Sequence, residues 1–252
     1  MQLGIGVNLF KKRDEGTPIK DGLVAEYLFN EGRGQVLCDY SGNGNHGQLG
    51  STREADTNDP LWTPQGLEFD GVDDFVTTYP HACNLDSHEA TCEIIVCPYS
   101  FRQSSITEFL RHQHLDSNNK GGYYIEYRGD MGTIVNVAFT LEDGQQQITT
   151  FDISLIPLNV YTHILATYDD NYIKIYINSV LVKSAAVYNP DNLKIANGRN
   201  LLIGSYDYGT RAFNGIIPMV RIYNRALSPE EVLQNYEWSK VELAKRGVIL
   251  AA

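Results

Sequence analysis

The chain reads as an all-β, antiparallel protein that ends in a helix, and three stretches carry that reading. From Tyr172 to Asn178, Ile173, Ile175 and Ile177 alternate with Tyr172, Lys174, Tyr176 and Asn178, the period of a strand with one face on a core. Asp169-Asp170-Asn171 before it and Asn178-Ser179 after it are turn formers that tolerate positive φ, so residues 160–182 predict three strands folded back on one another. At the other end Ser228-Pro229-Glu230-Glu231 is a capping box with proline at the first helical position. Val232, Leu233, Tyr236, Val241 and Ala244 then recur at helical spacing, and Gly247 marks the expected stop.

The other elements follow in order. Residues 1–20 are expected to form an N-terminal arm, because Leu3, Ile5, Val7 and Leu9 alternate with small or polar residues as a strand added to a neighbour would. A disordered leader is the plainer alternative. Residues 22–29 predict a first strand, 39–45 an irregular Gly/Asn turn, and 51–60 a polar loop. Residues 67–69 and 75–78 are expected to flank a hairpin connection at Asp70-Gly71-Val72-Asp73-Asp74. Strands are expected at 91–97, 106–111, 123–127, 133–141, 147–151, 200–204 and 216–223, with a Tyr- and Gly-rich loop over 205–214.

Four blocks together resemble one family. They are Gly22-Leu23-Val24-Ala25-Glu26-Tyr27-Leu28-Phe29 with Asp39-Tyr40-Ser41-Gly42-Asn43-Gly44-Asn45-His46-Gly47; Leu67-Glu68-Phe69-Asp70-Gly71-Val72-Asp73-Asp74; Tyr161-Thr162-His163 through Tyr168-Asp169 to Asn178; and Phe213-Asn214-Gly215 with Val220-Arg221-Ile222-Tyr223. In this order they resemble the concanavalin A-like, laminin-G-like jelly-roll domains. The resemblance implies a two-sheet antiparallel β-sandwich over residues 21–236, with 1–20 as the arm and 237–252 as a C-terminal helical extension. It says more about fold than about function.

Composition narrows the partners. A chain of 252 residues holds one core of this kind, and a net charge of −11 repels phosphate, so nucleic acid is not an expected partner. Cys38, Cys83, Cys92 and Cys97 match no zinc spacing, and Cys92 and Cys97 point to opposite faces of one strand, so reduced, buried thiols are expected. No run is long and apolar enough to insert in a membrane, and the N-terminus lacks a signal-peptide pattern. Cytoplasmic synthesis, followed by a place on a virion or extracellular surface, is the expectation.

Catalysis finds little support. Glu68-x-Asp70-x-x-Asp73 approaches a glycosidase spelling, but Gly71 breaks the strand before Asp73. Gly42-x-Gly44-x-x-Gly47 follows no parallel strand and opens no helix. Calcium is the better chemical expectation: Asp39, Asn43 and Asn45, with the backbone of Ser41 and Gly44, offer oxygen ligands, and relatives often hold a structural Ca2+ there. A turn that only holds its own backbone is the alternative. Relatives carry a carboxylate in the closing strand where this chain has Pro218-Met219. His112, His114 and Asp116 form a weak metal set, with solvated histidines the plainer reading, and His163 is expected to be structural.

For a glycan, aromatic faces beside hydrogen-bonding groups are needed. Tyr206, Tyr208, Arg211, Asn214 and Tyr124 are the candidate ligand-binding residues, Tyr123 and Tyr127 standing nearby. The alternative is tyrosine packing at a protein interface. The expected function is therefore non-catalytic: a virion component such as a phage capsid decoration or tail protein whose jelly roll binds glycans, self-associated or docked into an assembly by its arm and C-terminal helix. The alternatives are a secreted or surface carbohydrate-binding lectin module and, third, a glycoside hydrolase or polysaccharide lyase.

Overall fold

The structure is a computed structural model and describes residues 16–79, 82–113, 122–189, 191, 194–197 and 200–250. Among these the strands are β1 (Leu23–Tyr27), β2 (Val36–Leu37), β3 (Gly47–Leu49), β4 (Leu61–Thr63), β5 (Gly66–Asp70), β6 (Val76–Thr78), β7 (Glu89–Pro98) and β8 (Ile106–Gln113). They continue with β9 (Tyr123–Arg128), β10 (Ile134–Thr140), β11 (Gln146–Asp152), β12 (Thr162–Asp169), β13 (Tyr172–Ile177), β14 (Val180–Ala186), β15 (Asn200–Ile203) and β16 (Asn214–Tyr223). One helix, α1 (Pro229–Ala244), follows.

The strands form two antiparallel sheets. The first runs β14-β13-β12-β7-β16-β5-β4, with β1 also on β16; the second runs β11-β10-β9-β8-β15-β6-β3-β2. Alternate residues of both, such as Cys92, Ile94, Ala166 and Ile175 from the first and Phe109, Ile125, Val137 and Leu201 from the second, meet in one core. This is the two-sheet sandwich the resemblance implies. The three-strand reading of residues 160–182 holds, with Asn178 and Ser179 at φ 49° and 66° closing β13 on β14 as a two-residue turn.

One connection differs. β5 and β6 belong to different sheets, so residues 70–74 carry the chain across the sandwich instead of closing a hairpin. Both strands alternate and both flank a turn; only their partners, β16 for β5 and β15 with β3 for β6, separate them. The short strands β2, β3 and β4 have too few residues to show a period.

α1 lies on the outer face of the first sheet. Ser228 and Glu231 make the reciprocal capping box, and Gly247 at φ 80° ends the helix, with Val248 N–H donating to Leu243 and Gly247 N–H to Ala244. Residue 236 falls inside this helix, so its second half continues the element that closes the sandwich. The buried face differs from the apolar periodicity: it is Val232, Asn235, Tyr236, Ser239 and Leu243, while Val241 is 66% exposed.

Polar Asn235 and Ser239 face inward because the sheet beneath them carries charge. Arg221, with no exposed surface, donates to Glu26 at 2.7 Å, Glu93 at 2.9 Å and Ser239 at 3.2 Å, and its guanidinium lies 4.6 Å from the Trp238 ring. Glu93 also meets His163 Nε2 at 3.0 Å and accepts from Asn235 Nδ2 at 2.8 Å. Burial alone would raise the Glu93 carboxyl; Arg221 and His163 hold it below the ordinary range instead. His163 is structural, as expected.

Residues 1–15 of the expected arm lie outside the described residues. Its end runs along α1, where Ile19 N–H donates to Asn235 Oδ1 at 2.9 Å and Gln234 Nε2 to the Thr17 carbonyl at 3.1 Å. The thiols of Cys83, Cys92 and Cys97 are buried, Cys38 is half-buried, and all four are free.

Arg221→Met tests the charge network. Removing the guanidinium takes away the cation that Glu26 and Glu93 share, leaving Glu26 with Lys20 at 2.6 Å and Glu93 with only His163 and Asn235, so urea unfolding should show a loss of about 3 kcal/mol. A change below about 1 kcal/mol would mean that packing alone seats α1.

Candidate binding site on the second sheet

The outer face of the second sheet is built by β8 and β9. Along β9, Tyr123, Ile125 and Tyr127 enter the core, which places Tyr124, Glu126 and Arg128 outside. A bulge between Glu108 and Leu110 turns both Phe109 and Leu110 inward, so Glu108 and Arg111, three residues apart, emerge on the same outer face. Glu108 then stands opposite Glu126, and Arg111 opposite Tyr124. Like charges in that register repel. Arg111 resolves the conflict by donating from Nε to Glu108 at 2.7 Å and from Nη2 to Glu126 at 3.0 Å.

The loop between β15 and β16 folds over this face. Tyr206 N–H donates to the Thr210 carbonyl at 2.9 Å, Gly209 N–H to Ser205 Oγ at 2.8 Å, and Glu108 N–H to the Arg211 carbonyl at 2.9 Å. Tyr208 and Arg211 are held at φ 43° and 54°, a left-handed backbone that side-chain-bearing residues adopt only when neighbours impose it. The loop brings the Tyr206 ring against two guanidiniums: Arg111 lies 4.1 Å from the centre of Tyr124 and 4.7 Å from that of Tyr206, and Arg211 lies 3.9 Å from Tyr206. The result is a stack, Tyr124–Arg111–Tyr206–Arg211, each contact contributing about 0.5–2 kcal/mol according to its exposure.

Beside the stack opens a pocket of about 250 Å3 whose lining includes Arg111, Tyr124, Glu126, Arg128, Tyr206 and Arg211. Glu126 Oε1 also accepts from Asn136 Nδ2 at 3.1 Å and Arg128 Nη1 at 3.3 Å, and Arg128 grips Asp130 through two bonds of 2.8 Å. Glu108 is sealed beneath, with no exposed surface; burial pushes its carboxyl from an ordinary 4.5 up to about 8, against the pull of Arg111. A carboxyl so enclosed holds its proton at neutral pH but touches no solute, so this pair does not supply accessible acid/base groups.

Of the candidate ligand-binding residues, Tyr206, Arg211 and Tyr124 come together at this pocket. Tyr208 and Asn214 do not join them: Tyr208 packs edge-on against Phe75 at 5.6 Å, and Asn214 begins β16 in the first sheet, paired with Asp70. Tyr123 and Tyr127 are core residues. Arg111, Glu126 and Arg128 were missed; period-two parity from Tyr124 marks the last two, whereas Arg111 reaches this face only through the bulge.

The other expected sites are differently made. Asp39 is surrounded by donors: Glu26 N–H at 3.0 Å and Ser41 N–H at 2.9 Å on Oδ1, Ser41 Oγ at 2.7 Å and Asn45 N–H at 2.9 Å on Oδ2. Asn43 and Asn45 turn their amide nitrogens toward the Leu23 and Val24 carbonyls at 2.8–3.0 Å. In this arrangement the turn satisfies itself, and the donor-saturated carboxylate does not fit a cation. His112 is buried and stacks on Tyr123 at 4.9 Å, so it is not a solvated histidine; His114 and Asp116 lie outside the described residues. Glu68, Asp70 and Asp73 do not share one strand: Asp70 ends β5 and Asp73 lies beyond Gly71, at φ 78°. Asp70, Asp73 and Asp74 gather in that turn, where Asp74 accepts from Asp70 N–H at 2.8 Å and burial, with its two acidic neighbours, raises it to about 6.

A sandwich of two antiparallel sheets with a polar pocket on one outer face defines a jelly-roll domain of the lectin and glucanase kind. A sequence profile of the concanavalin A-like lectin/glucanases superfamily matches residues 70–233, and the chain belongs to that superfamily. No curated protein matches the chain by sequence. Among solved structures it is similar to the botulinum neurotoxin serotype D ligand binding domain in complex with N-acetylneuraminic acid, at 15% identity and a TM-score of 0.65, covering 87% of this chain and 51% of that one. It is also similar to the botulinum neurotoxin type G receptor binding domain, at 16% identity and a TM-score of 0.60, covering 87% and 52%. The chain thus spans about half the length of these neighbours, and at this identity the likeness is one of fold.

Two measurements test the site's chemistry. Between about pH 4.5 and pH 8 the folded protein holds a proton on Glu108 that the unfolded chain has lost, so this group makes stability fall as pH rises, by up to about 1.4 kcal/mol per unit. Glu108→Gln keeps the shape of the protonated acid; its melting temperature should match the parent near pH 5 and exceed it increasingly toward pH 8. Parallel curves would refute a protonated Glu108. For the Asp39 turn, melting temperatures in excess calcium and in excess chelator should coincide, whereas a bound ion would separate them by mass action.

Proposed function

We propose that this protein is a non-catalytic recognition domain that binds a glycan on the outer face of its second sheet. The observation that carries the reading is the Tyr124–Arg111–Tyr206–Arg211 stack beside a small polar pocket. A network of fixed donors at a pocket mouth, braced by a loop in strained backbone, is the preorganisation that binding requires and that a sheet does not need for stability. The superfamily and the N-acetylneuraminic acid in the serotype D structure are in keeping with it.

A finer reading places the domain in an assembly, as a virion component such as a phage decoration or tail protein. Its support is the edge strand β14, which exposes Val180 and Leu181 beside unpaired backbone and so offers a rail for strand addition. A glycan array probed with the purified chain tests the main reading: specific binding that Tyr206→Ala weakens at least tenfold is expected. Absence of binding at high protein concentration removes it, and a single-chain mass by light scattering of the same sample removes the assembly reading.

A further inference from the structure

The aromatic faces of the pocket are already covered. Arg111 and Arg211 both lie over the Tyr206 ring and Arg111 also over Tyr124, so the tyrosines hold arginines rather than stand free as a stacking platform for a neutral sugar ring. The arginines differ among themselves. Arg111 is consumed by Glu108 and Glu126, and Arg128 by Asp130 and Glu126. Arg211 makes no side-chain hydrogen bond among the described residues: its nearest carboxylate oxygen, Glu126 Oε2, is 3.8 Å away and already accepts from Arg111. Its side chain is 35% exposed, yet its guanidinium rests 3.9 Å over the Tyr206 ring and its backbone is held by the bond from Glu108 N–H.

We propose that the pocket takes an acidic glycan, and that the Arg211 fork receives the carboxylate of its terminal sugar. The inference rests on the glycan-binding reading above and names the ligand class of that site. A guanidinium seated on a ring with unused donors matches a planar carboxylate through two parallel bonds. The local composition agrees: Arg111, Arg128 and Arg211 gather at this one pocket of a protein whose net charge is −11. A volume of about 250 Å3 is below the range of drug-sized sites, which suits one terminal residue with the chain extending into solvent.

The test is calorimetric titration of the full chain with oligosaccharides ending in N-acetylneuraminic acid or glucuronic acid, each beside its carboxyl-reduced counterpart. Carboxyl reduction should weaken binding about ten- to a hundredfold, the cost of losing charge-assisted bonds. Arg211→Gln should produce a similar loss on the acidic sugar and no further loss on the reduced one, with Arg211→Lys between; an unchanged melting temperature shows that both variants fold. Equal binding of acidic and reduced sugars, an equal loss on both in Arg211→Gln, or binding of sulfated glycans alone would overturn the carboxylate and leave glycan recognition standing. Failure to bind any acidic, reduced or neutral glycan would remove the recognition reading as well.

Discussion

Arg221 carries a full charge with no exposed surface, and the organisation of the first sheet follows from what that requires. A buried guanidinium is tolerable only when carboxylates and hydrogen-bond acceptors surround it. Glu26 on β1 and Glu93 on β7 come from the two strands that flank β16, so the charge is satisfied only after three distant parts of the chain have paired. α1 then closes over the group with Asn235 and Ser239 turned inward and Trp238 against the guanidinium. Both faces of the sheet are thereby buried where β7, β12 and β16 cross its centre.

That arrangement explains where a ligand site can lie. With α1 occupying the outer face of the first sheet, the second sheet keeps the open face, and the loop between β15 and β16 shapes it. The same physics recurs there on a smaller scale. Glu108 and Glu126 face each other across β8 and β9, and Arg111, bonded to both, together with the burial that keeps the Glu108 carboxyl protonated makes that register tolerable. The difference lies in access. The Arg221 network is wholly enclosed, whereas the Arg111 cluster ends at Arg211, a cation at the surface with a ring beneath it and donors left over.

The legible part of the chain consists of local signals. Ile173, Ile175 and Ile177 declare a strand by their spacing, Asn178-Ser179 its reversal, and Ser228 with Glu231 the start of α1, because period, positive φ and capping each act within a few residues. Tyr124, Tyr206 and Arg211 were legible as a group because aromatic and cationic residues clustered in two short stretches. The inward turn of Asn235 and Ser239, the crossing of residues 70–74 between sheets, and the separation of Asn214 from the pocket were not.

The sequence by itself determined an antiparallel all-β chain closed by a capped helix and, through four ordered blocks, the jelly-roll arrangement of its sheets. Tertiary structure alone decided which charges meet. Arg111 reaches the pocket through a bulge that reverses strand parity, and Arg221 finds its partners 128 and 195 residues away. Neither event leaves a local trace, since a strand's period tells which residues share a face but not which neighbour will bring the opposite charge, and one inserted residue exchanges the two faces.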